Sequence, residues 1–300
     1  MKILLTGASG FLGRICVPFL TNDHQVLTIG RNTSNQIIAD LATFVPELPP
    51  IDAVIHAAGK AHIYPRTDVE KQAFFEVNVN GTRHLLDALN PSSIKAFIFI
   101  SSVSVYGLDQ GENIPENTPL NGSSPYALSK IQAEAMIVSW CQNHEVDYLI
   151  LRLPLIAGSK PLGNLGKMMK AIQGGRYLRI AKGEANKSMV LATDVSQLMA
   201  KWLNSSVRVS GIYNLTDGIH PSFFQLEEGL KLLWQIKYIP AIPKWLGTML
   251  GKLGDSISWF PVNSGTIRKI TGTFTFSDEK ARNDLGWSPR SVLAHLNELL

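Results

Sequence analysis

Lys2-Ile3-Leu4-Leu5-Thr6-Gly7-Ala8-Ser9-Gly10-Phe11-Leu12-Gly13 sets a short apolar run against a glycine turn and then the start of a helical pattern. A run without polar alternation suits a strand buried on both faces of a parallel sheet. Glycines at 7, 10 and 13 let the backbone turn tightly and approach a pyrophosphate, whose charge meets the N-terminus of the next helix. A glycine triplet alone is weak, because turns need glycine anyway; its place between the first strand and the first helix gives it weight.

Runs of the same kind recur at Gln25–Ile29, Ala53–Ala57, Ala96–Ser101 and Asp147–Arg152, with a weaker one at Gly211–Leu215. Helix-length segments separate them, and Phe74, Val77, Leu85 and Leu89 fall near one helical face. Strand–helix alternation predicts an α/β fold, a doubly wound parallel sheet of Rossmann type. After Arg152 the alternation weakens: glycines crowd residues 158–183, and helical segments dominate from Phe223. The expected division is a Rossmann NAD(P)-binding domain over 1–155, with 190–216 returning to it. A smaller substrate-binding domain takes 156–189 and 217–300.

Hydrophobic residues make up 45% of the 300 residues and charged ones 17%, too apolar a balance for disorder. The net charge of +4 is small for this length and comes without a Lys/Arg run, so an anionic small ligand suits it better than nucleic acid or a membrane surface. Cys16 and Cys141 form no CxxC, and the seven histidines show no ligand spacing, so no metal is expected. The apolar stretch Ile239–Phe260 is broken by Pro240, Pro243, Lys244, Lys252 and Asp255 and does not read as a bilayer span. The chain enters its glycine turn at once, leaving no room for a signal peptide; the expectation is a cytoplasmic protein.

At the end of the second strand an NAD-binding protein usually places an acid on the ribose hydroxyls. Here Gly30-Arg31-Asn32 stands instead, and a small residue followed by arginine welcomes a 2′-phosphate. NADP(H) is therefore expected ahead of NAD(H). In Ala39-Asp40-Leu41, the Asp40 carboxylate could lie near the adenine amino group.

Ser124-Pro125-Tyr126-Ala127-Leu128-Ser129-Lys130 reads as a helix start, with Ser124 as cap and Pro125 in the first turn. Tyr126 and Lys130 then share a face. A free phenol titrates near pH 10, and a nearby ammonium favours its phenolate, bringing proton exchange into working range. Spacing alone equally allows Lys130 to pair with Glu134 on a wet helix face. Upstream, the strand Phe97-Ile98-Phe99-Ile100 turns polar at Ser101-Ser102-Val103-Ser104-Val105-Tyr106-Gly107. Ligands of open α/β sheets sit beyond that end, where a serine can hydrogen-bond a substrate oxygen as charge develops on it.

These pieces, in this order, resemble the extended short-chain dehydrogenase/reductases, the epimerase/dehydratase group that acts on nucleotide sugars. The matches are TGASGFLG at 6–13, His56-Ala57-Ala58-Gly59, Asn78-Val79-Asn80-Gly81-Thr82, SSVSVYG at 101–107 and the Tyr126/Lys130 pair. Lys280-Ala281-Arg282 and Leu285-Gly286-Trp287-Ser288-Pro289 extend them over nearly the whole chain.

The resemblance implies Tyr126 as general acid/base, Lys130 on the nicotinamide ribose and Ser102 on the reacting oxygen. It implies Gly7, Gly10, Phe11, Leu12, Gly13, Arg31, Asp40, Leu41, Ala57, Ala58, Gly59, Asn78 and Ser101 around the dinucleotide. Ser104, Lys187 and Arg268 fall where relatives contact substrate. A homodimer through helices of the cofactor domain is also implied.

Two departures narrow the chemistry. The 4,6-dehydratases carry an Asp-Glu pair after the catalytic Ser/Thr, and GDP-fucose synthase-like enzymes a cysteine two positions after it; this chain has Val103-Ser104. Redox at one carbon remains. The sequence looks most like bacterial reductases of UDP-4-keto-6-deoxy-N-acetylhexosamines. A 4-epimerase with bound NAD is the alternative; a non-catalytic NADP-binding regulator and a reductase of hydrophobic substrates stand further off.

Overall fold

The computed structural model describes residues 1–61, 63–161, 163–256 and 264–300. Its strands in chain order are β1 (Lys2–Thr6), β2 (Gln25–Gly30), β3 (Ile37–Ile38), β4 (Ala53–His56), β5 (Ala96–Ser102), β6 (Gly111–Ile114), β7 (Asp147–Leu153), β8 (Leu155–Ala157), β9 (Arg179–Ile180), β10 (Met189–Leu191), β11 (Gly211–Asn214), β12 (Ala241–Ile242) and β13 (Phe274–Phe276). The α-helices are α1 (Phe11–Thr21), α2 (Asp68–Phe75), α3 (Gly81–Ala88), α4 (Pro125–Asn143), α5 (Gly163–Gln173), α6 (Ala192–Asn204), α7 (Phe223–Leu233), α8 (Lys244–Ser256), α9 (Ser264–Thr271) and α10 (Glu279–Leu285).

Seven strands form one parallel sheet in the order β11-β7-β5-β4-β1-β2-β3. The order reverses direction at β1, which opens a crevice at the carboxyl ends, where the glycine turn lies. All six strands expected from their apolar runs occur, each within one residue of its expected bounds; the two-residue edge strand β3 had no such run.

Alternation explains the layers. Ile3 and Leu5 of β1, Ala96 and Ile98 of β5, and Leu149 and Leu151 of β7 point into one core with α1 and α6. Leu4, Phe97, Phe99 and Ile150 point into the other, with α3 and α4. Phe74, Leu85 and Leu89 are buried as their spacing predicts, but Val77 is only partly so. Between α2 and α3 the chain makes a π-turn, Glu76–Asn80, whose wider winding brings Asn78 and Val79 inward instead.

The segment after β10 returns to the sheet: α6 packs against α1, and β11 pairs with β7. A third core gathers Leu165 and Met169 of α5, Leu226 and Leu230 of α7, and Leu296. Residues 279–287, expected among the substrate-binding segments, pack on the sheet layer instead. Ala281 and Trp287 join the first core, and the Trp287 indole donates to the Thr216 carbonyl at 2.9 Å. No described helix is long and apolar enough to cross a membrane. Residues 257–260 of the apolar stretch lie outside the described residues.

Candidate active site

The glycine turn separates what the fold requires from what a ligand requires. Gly7 has φ +74°, and a β-carbon there would fall 2.6 Å from the Ala58 nitrogen. A β-carbon on Gly13 would fall 2.1 Å from the Gly7 carbonyl oxygen. Chain packing alone demands both. Gly10 is exposed, and a β-carbon there would meet only the Gly7 oxygen, at 3.1 Å. Its outer side is open directly over the start of α1, whose first turn carries no acid and whose N-cap makes no side-chain bond. Free N–H groups beside an open glycine fit a diphosphate, with Phe11 and Leu12 beginning the helix beneath it.

A buried polar relay fixes the loop after β4 beside this turn. The Thr82 hydroxyl donates to the Asn78 carbonyl, at 2.6 Å. It must therefore accept from His56 Nε2–H, 3.0 Å away. His56 Nδ1 is then an acceptor for the Thr6 hydroxyl at 2.7 Å, and Thr6 Oγ1 accepts the Ala58 N–H at 3.0 Å. Burial, followed by the Lys130 charge, pushes His56 down to about 3, so it stays neutral and keeps this tautomer. Ala57, Ala58 and Gly59 are thereby held against the glycine turn.

Asn78 ties that loop to α4. It accepts from the Lys60 N–H at 2.7 Å and donates to the Lys60 carbonyl at 3.1 Å and to Ser129 Oγ at 2.8 Å. Ser129 in turn donates to the Tyr126 carbonyl at 2.8 Å. A β-carbon on Gly59 would fall 3.2 Å from Asn78 Oδ1 and 3.4 Å from Lys130 Nζ, so this glycine lies against both.

Helix α4 begins as its sequence predicts, with Ser124 Oγ accepting the Ala127 N–H and Pro125 in the first turn. Tyr126 is half-buried, edge-on to Phe74 with ring centroids 6.2 Å apart. Burial raises its phenol above the usual value and hydrogen bonding with Ser102 lowers it, so tyrosine and serine are neighbours. Lys130, the expected source of a lowering, has its ammonium engaged with other groups. The Lys130 ammonium instead donates to the Ile100 carbonyl at 2.7 Å and lies 4.4 Å from the centre of the Phe99 ring. Its own burial lowers it to about 8, against the opposing charge of Glu134.

Glu134 does not pair with Lys130 on a wet face. It is buried, accepts the Ser101 hydroxyl and forms an ion pair with Arg152 at 2.7 Å, both side chains 3–4% exposed. Arg152 also donates to Tyr106 Oη at 3.1 Å, and Tyr106 donates to Asn214 Oδ1 at 2.7 Å. Four elements thus meet in this network beside Ser102 and Lys130: β5, α4, β7 and β11. Sequence reasoning missed this network, although an arginine inside the apolar run of β7 was its signal.

The remaining expected residues divide. Ser104 sits beside Ser102, its N–H donating to Ser102 Oγ at 3.2 Å and the two hydroxyls 2.9 Å apart. Arg31 is exposed just past β2 and has no ion-pair partner among the described residues. Asp40 caps its own turn through the Ala42 N–H, and the Leu41 carbonyl faces His84 Nδ1 at 2.7 Å. Lys187 ends on the Lys269 and Gly272 carbonyls at 2.6 and 2.5 Å, which commits its charge to the end of α9. Arg268 is exposed on α9. No group of three His, Cys, Asp or Glu that could hold a metal occurs among the described residues.

Comparison with known proteins agrees with this geometry. The model of the NAD dependent epimerase/dehydratase family matches residues 3–216, and the chain belongs to that family of enzymes. An N-acetyl-α-D-glucosaminyl-diphospho-ditrans,octacis-undecaprenol 4-epimerase of Escherichia coli O157:H7 is 28% identical over 321 residues, covering 100% of this chain and 94% of the relative. A UDP-glucose 4-epimerase of Vibrio cholerae is 27% identical over 312 residues, covering 97% and 92%. Among solved structures, RMD from Pseudomonas aeruginosa complexed with NADPH superposes with a TM-score of 0.74 at 20% identity, covering 100% of this chain and 98% of that one.

Proposed function

We propose that the chain is an NADP(H)-dependent reductase acting at C4 of a UDP-4-keto-6-deoxyhexose, most simply an N-acetylhexosamine. Arg31 carries the cofactor half of this reading: an exposed guanidinium, with no ion-pair partner among the described residues, follows Gly30 where an acid on the ribose would otherwise stand. When bound, the reduced dinucleotide supplies a hydride to the carbonyl carbon. Tyr126 donates its phenolic proton to the oxygen as that oxygen becomes an alkoxide, and Ser102 donates a hydrogen bond to the same oxygen. Ser129 and Asn78 hold the turn of α4 that carries the tyrosine. Val103 is buried and Ser104 carries no charge, so no carboxylate stands after Ser102 to drive loss of water.

A second reading, 4-epimerisation with retained NAD, is favoured by the names of two near full-length relatives and by the family's description as NAD dependent. The same residues would then take the proton and return it. The relatives differ in carrier, UDP in one and undecaprenyl diphosphate in the other, so the diphosphate is the shared element of their substrates. For the homodimer we favour α3 and α4, where Arg83, Leu86, Met136 and Trp140 line a shallow groove.

Dinucleotide binding tests the proposal. Exchangeable NADPH, with Arg31→Ala weakening it by about tenfold or more and leaving NADH unchanged, is the expected result. NAD that survives purification, together with interconversion of 4-epimers, would give the second reading.

A further inference from the structure

A helix on a domain surface turns its large apolar residues inward and its polar ones to water. α8 keeps its polar residues outward and half-buries Leu246 and Leu250, but it also turns three large apolar residues to the outside. Its buried positions include Gly247 and Gly251; a β-carbon on the first would fall 2.8 Å from Ile180 Cγ2, and on the second 2.9 Å from Ile267 Cγ1. Trp245, Met249 and Leu253 face outward, with 68%, 48% and 49% of their surface exposed. Spaced four apart, they form one line along the helix, and Lys252, two turns on from Trp245, lies on that line as well. Glycine on the packed side lets the helix lie close to its neighbours, with Leu246 and Leu250 half-buried beside it.

The charge of the chain is concentrated in the same place. Residues 231–272 carry six Lys or Arg (Lys231, Lys237, Lys244, Lys252, Arg268, Lys269) against Asp255 alone, a net charge of +5. The other 258 residues carry 22 Lys or Arg against 23 Asp or Glu. The small overall excess therefore hides a basic segment; within it Lys231 pairs with Glu228 at 2.9 Å and Lys269 with Asp109 at 3.6 Å, while Lys244 and Lys252 are exposed on α8 beside the apolar line. Tyr238, just before β12, is also 74% exposed.

We propose that this face docks on a membrane surface rich in anionic phospholipid. Trp245, Met249 and Leu253 enter the boundary between headgroups and acyl chains, while Lys244 and Lys252 keep their ammonium groups among the phosphates. A second copy laid on the same face would set Lys244 and Lys252 against their own counterparts. A nucleic acid would use the cations and leave the apolar line in water. An anionic bilayer matches both features at once. Such docking would also bring the enzyme to sugars held on a lipid diphosphate, the carrier named for the Escherichia coli relative, beside the UDP-sugar proposed above.

The test is flotation of the full-length chain with vesicles of phosphatidylcholine alone or with roughly 30 mol% phosphatidylglycerol. The chain is expected to float with the anionic vesicles and not with the neutral ones, and about 0.5 M salt should weaken this binding. Trp245→Glu/Met249→Glu and Lys244→Glu/Lys252→Glu should each lower the bound fraction by about tenfold or more while leaving circular dichroism and turnover of a water-soluble UDP-sugar unchanged. Equal binding to both vesicle types, or no loss in either double variant, overturns the proposal. So does light scattering that shows a dimer broken by Trp245→Glu. Flotation without any sugar-nucleotide turnover would count against the substrate reading and leave the docking intact; turnover without flotation would do the opposite.

Discussion

Helices α4 and α8 break the same rule in opposite directions. α4 buries Ser129, Lys130 and Glu134, whereas α8 buries glycine and exposes Trp245, Met249 and Leu253. A buried polar group is costly unless partnered, and α4 partners each of its own: Ser129 with Asn78, Lys130 with the Ile100 carbonyl, Glu134 with Arg152 and Ser101. Among the described residues, Trp245, Met249 and Leu253 join none of the buried clusters. In our reading the polar groups that α4 takes inward support the proposed chemistry, and the apolar groups that α8 turns outward meet the proposed membrane.

The largest effect expected on the α4 side is on rate. Tyr126→Phe removes the proton donor and should lower kcat by about 10²–10⁴-fold, the usual range for a general acid. Dinucleotide affinity, measured by fluorescence titration, should change little. Wild-type turnover in that variant would end the catalytic reading of α4. Next comes stability. Glu134→Gln leaves the Arg152 guanidinium buried and uncompensated, at a cost of about 3–5 kcal/mol in denaturant unfolding. Glu134→Gln combined with Arg152→Met should recover much of that loss, because the guanidinium is then no longer buried without its carboxylate. If the double variant is no better than the single one, the pair was not the reason for the cost.

How much of this was legible in the sequence follows from the same contrast. Unbroken apolar runs located six sheet strands, because a strand buried on both faces leaves no other pattern. Ser124-Pro125 marked the start of α4, because capping is a local event between neighbours in the chain. Glu134, Arg152, Tyr106 and Asn214 come together only through tertiary packing, and nothing within a few residues of any of them names its partner. Val77 was misplaced for a local reason: a π-turn shifts the helical register, and a 3.6-residue period cannot foresee it. The basic segment around α8 was hidden by averaging, since a net charge of +4 over the whole chain looks unremarkable until it is divided.

A smaller effect separates the two regions by pH. His56 is lowered from 6.5 to about 3 by burial, so the unfolded chain binds its proton at a higher pH than the folded one. Its contribution to stability is complete above pH 6.5 and is lost as pH falls toward 3. By pH 5 the loss is on the order of 2 kcal/mol. Unfolding curves at pH 7 and 5 should show it, and His56→Gln should flatten the difference. No histidine lies between residues 221 and 294, so the α8 segment adds nothing to this slope.

The smallest effect belongs to α8. If its apolar line packs on nothing within the chain, then Trp245→Glu, Met249→Glu and Leu253→Glu, combined in one variant, should change unfolding free energy by no more than about 0.5 kcal/mol each, as surface substitutions do. Gly251→Leu, on the opposite side of the same helix, should cost several times more, because its first added carbon already falls 2.9 Å from Ile267 Cγ1 and 3.2 Å from the Ser264 backbone. A near-neutral triple exchange beside a damaging glycine exchange is the signature of a helix held by its small residues. The reverse pattern, with the triple exchange unfolding the chain, would mean that Trp245, Met249 and Leu253 are part of the core, and the outward-facing line would lose its claim to a partner.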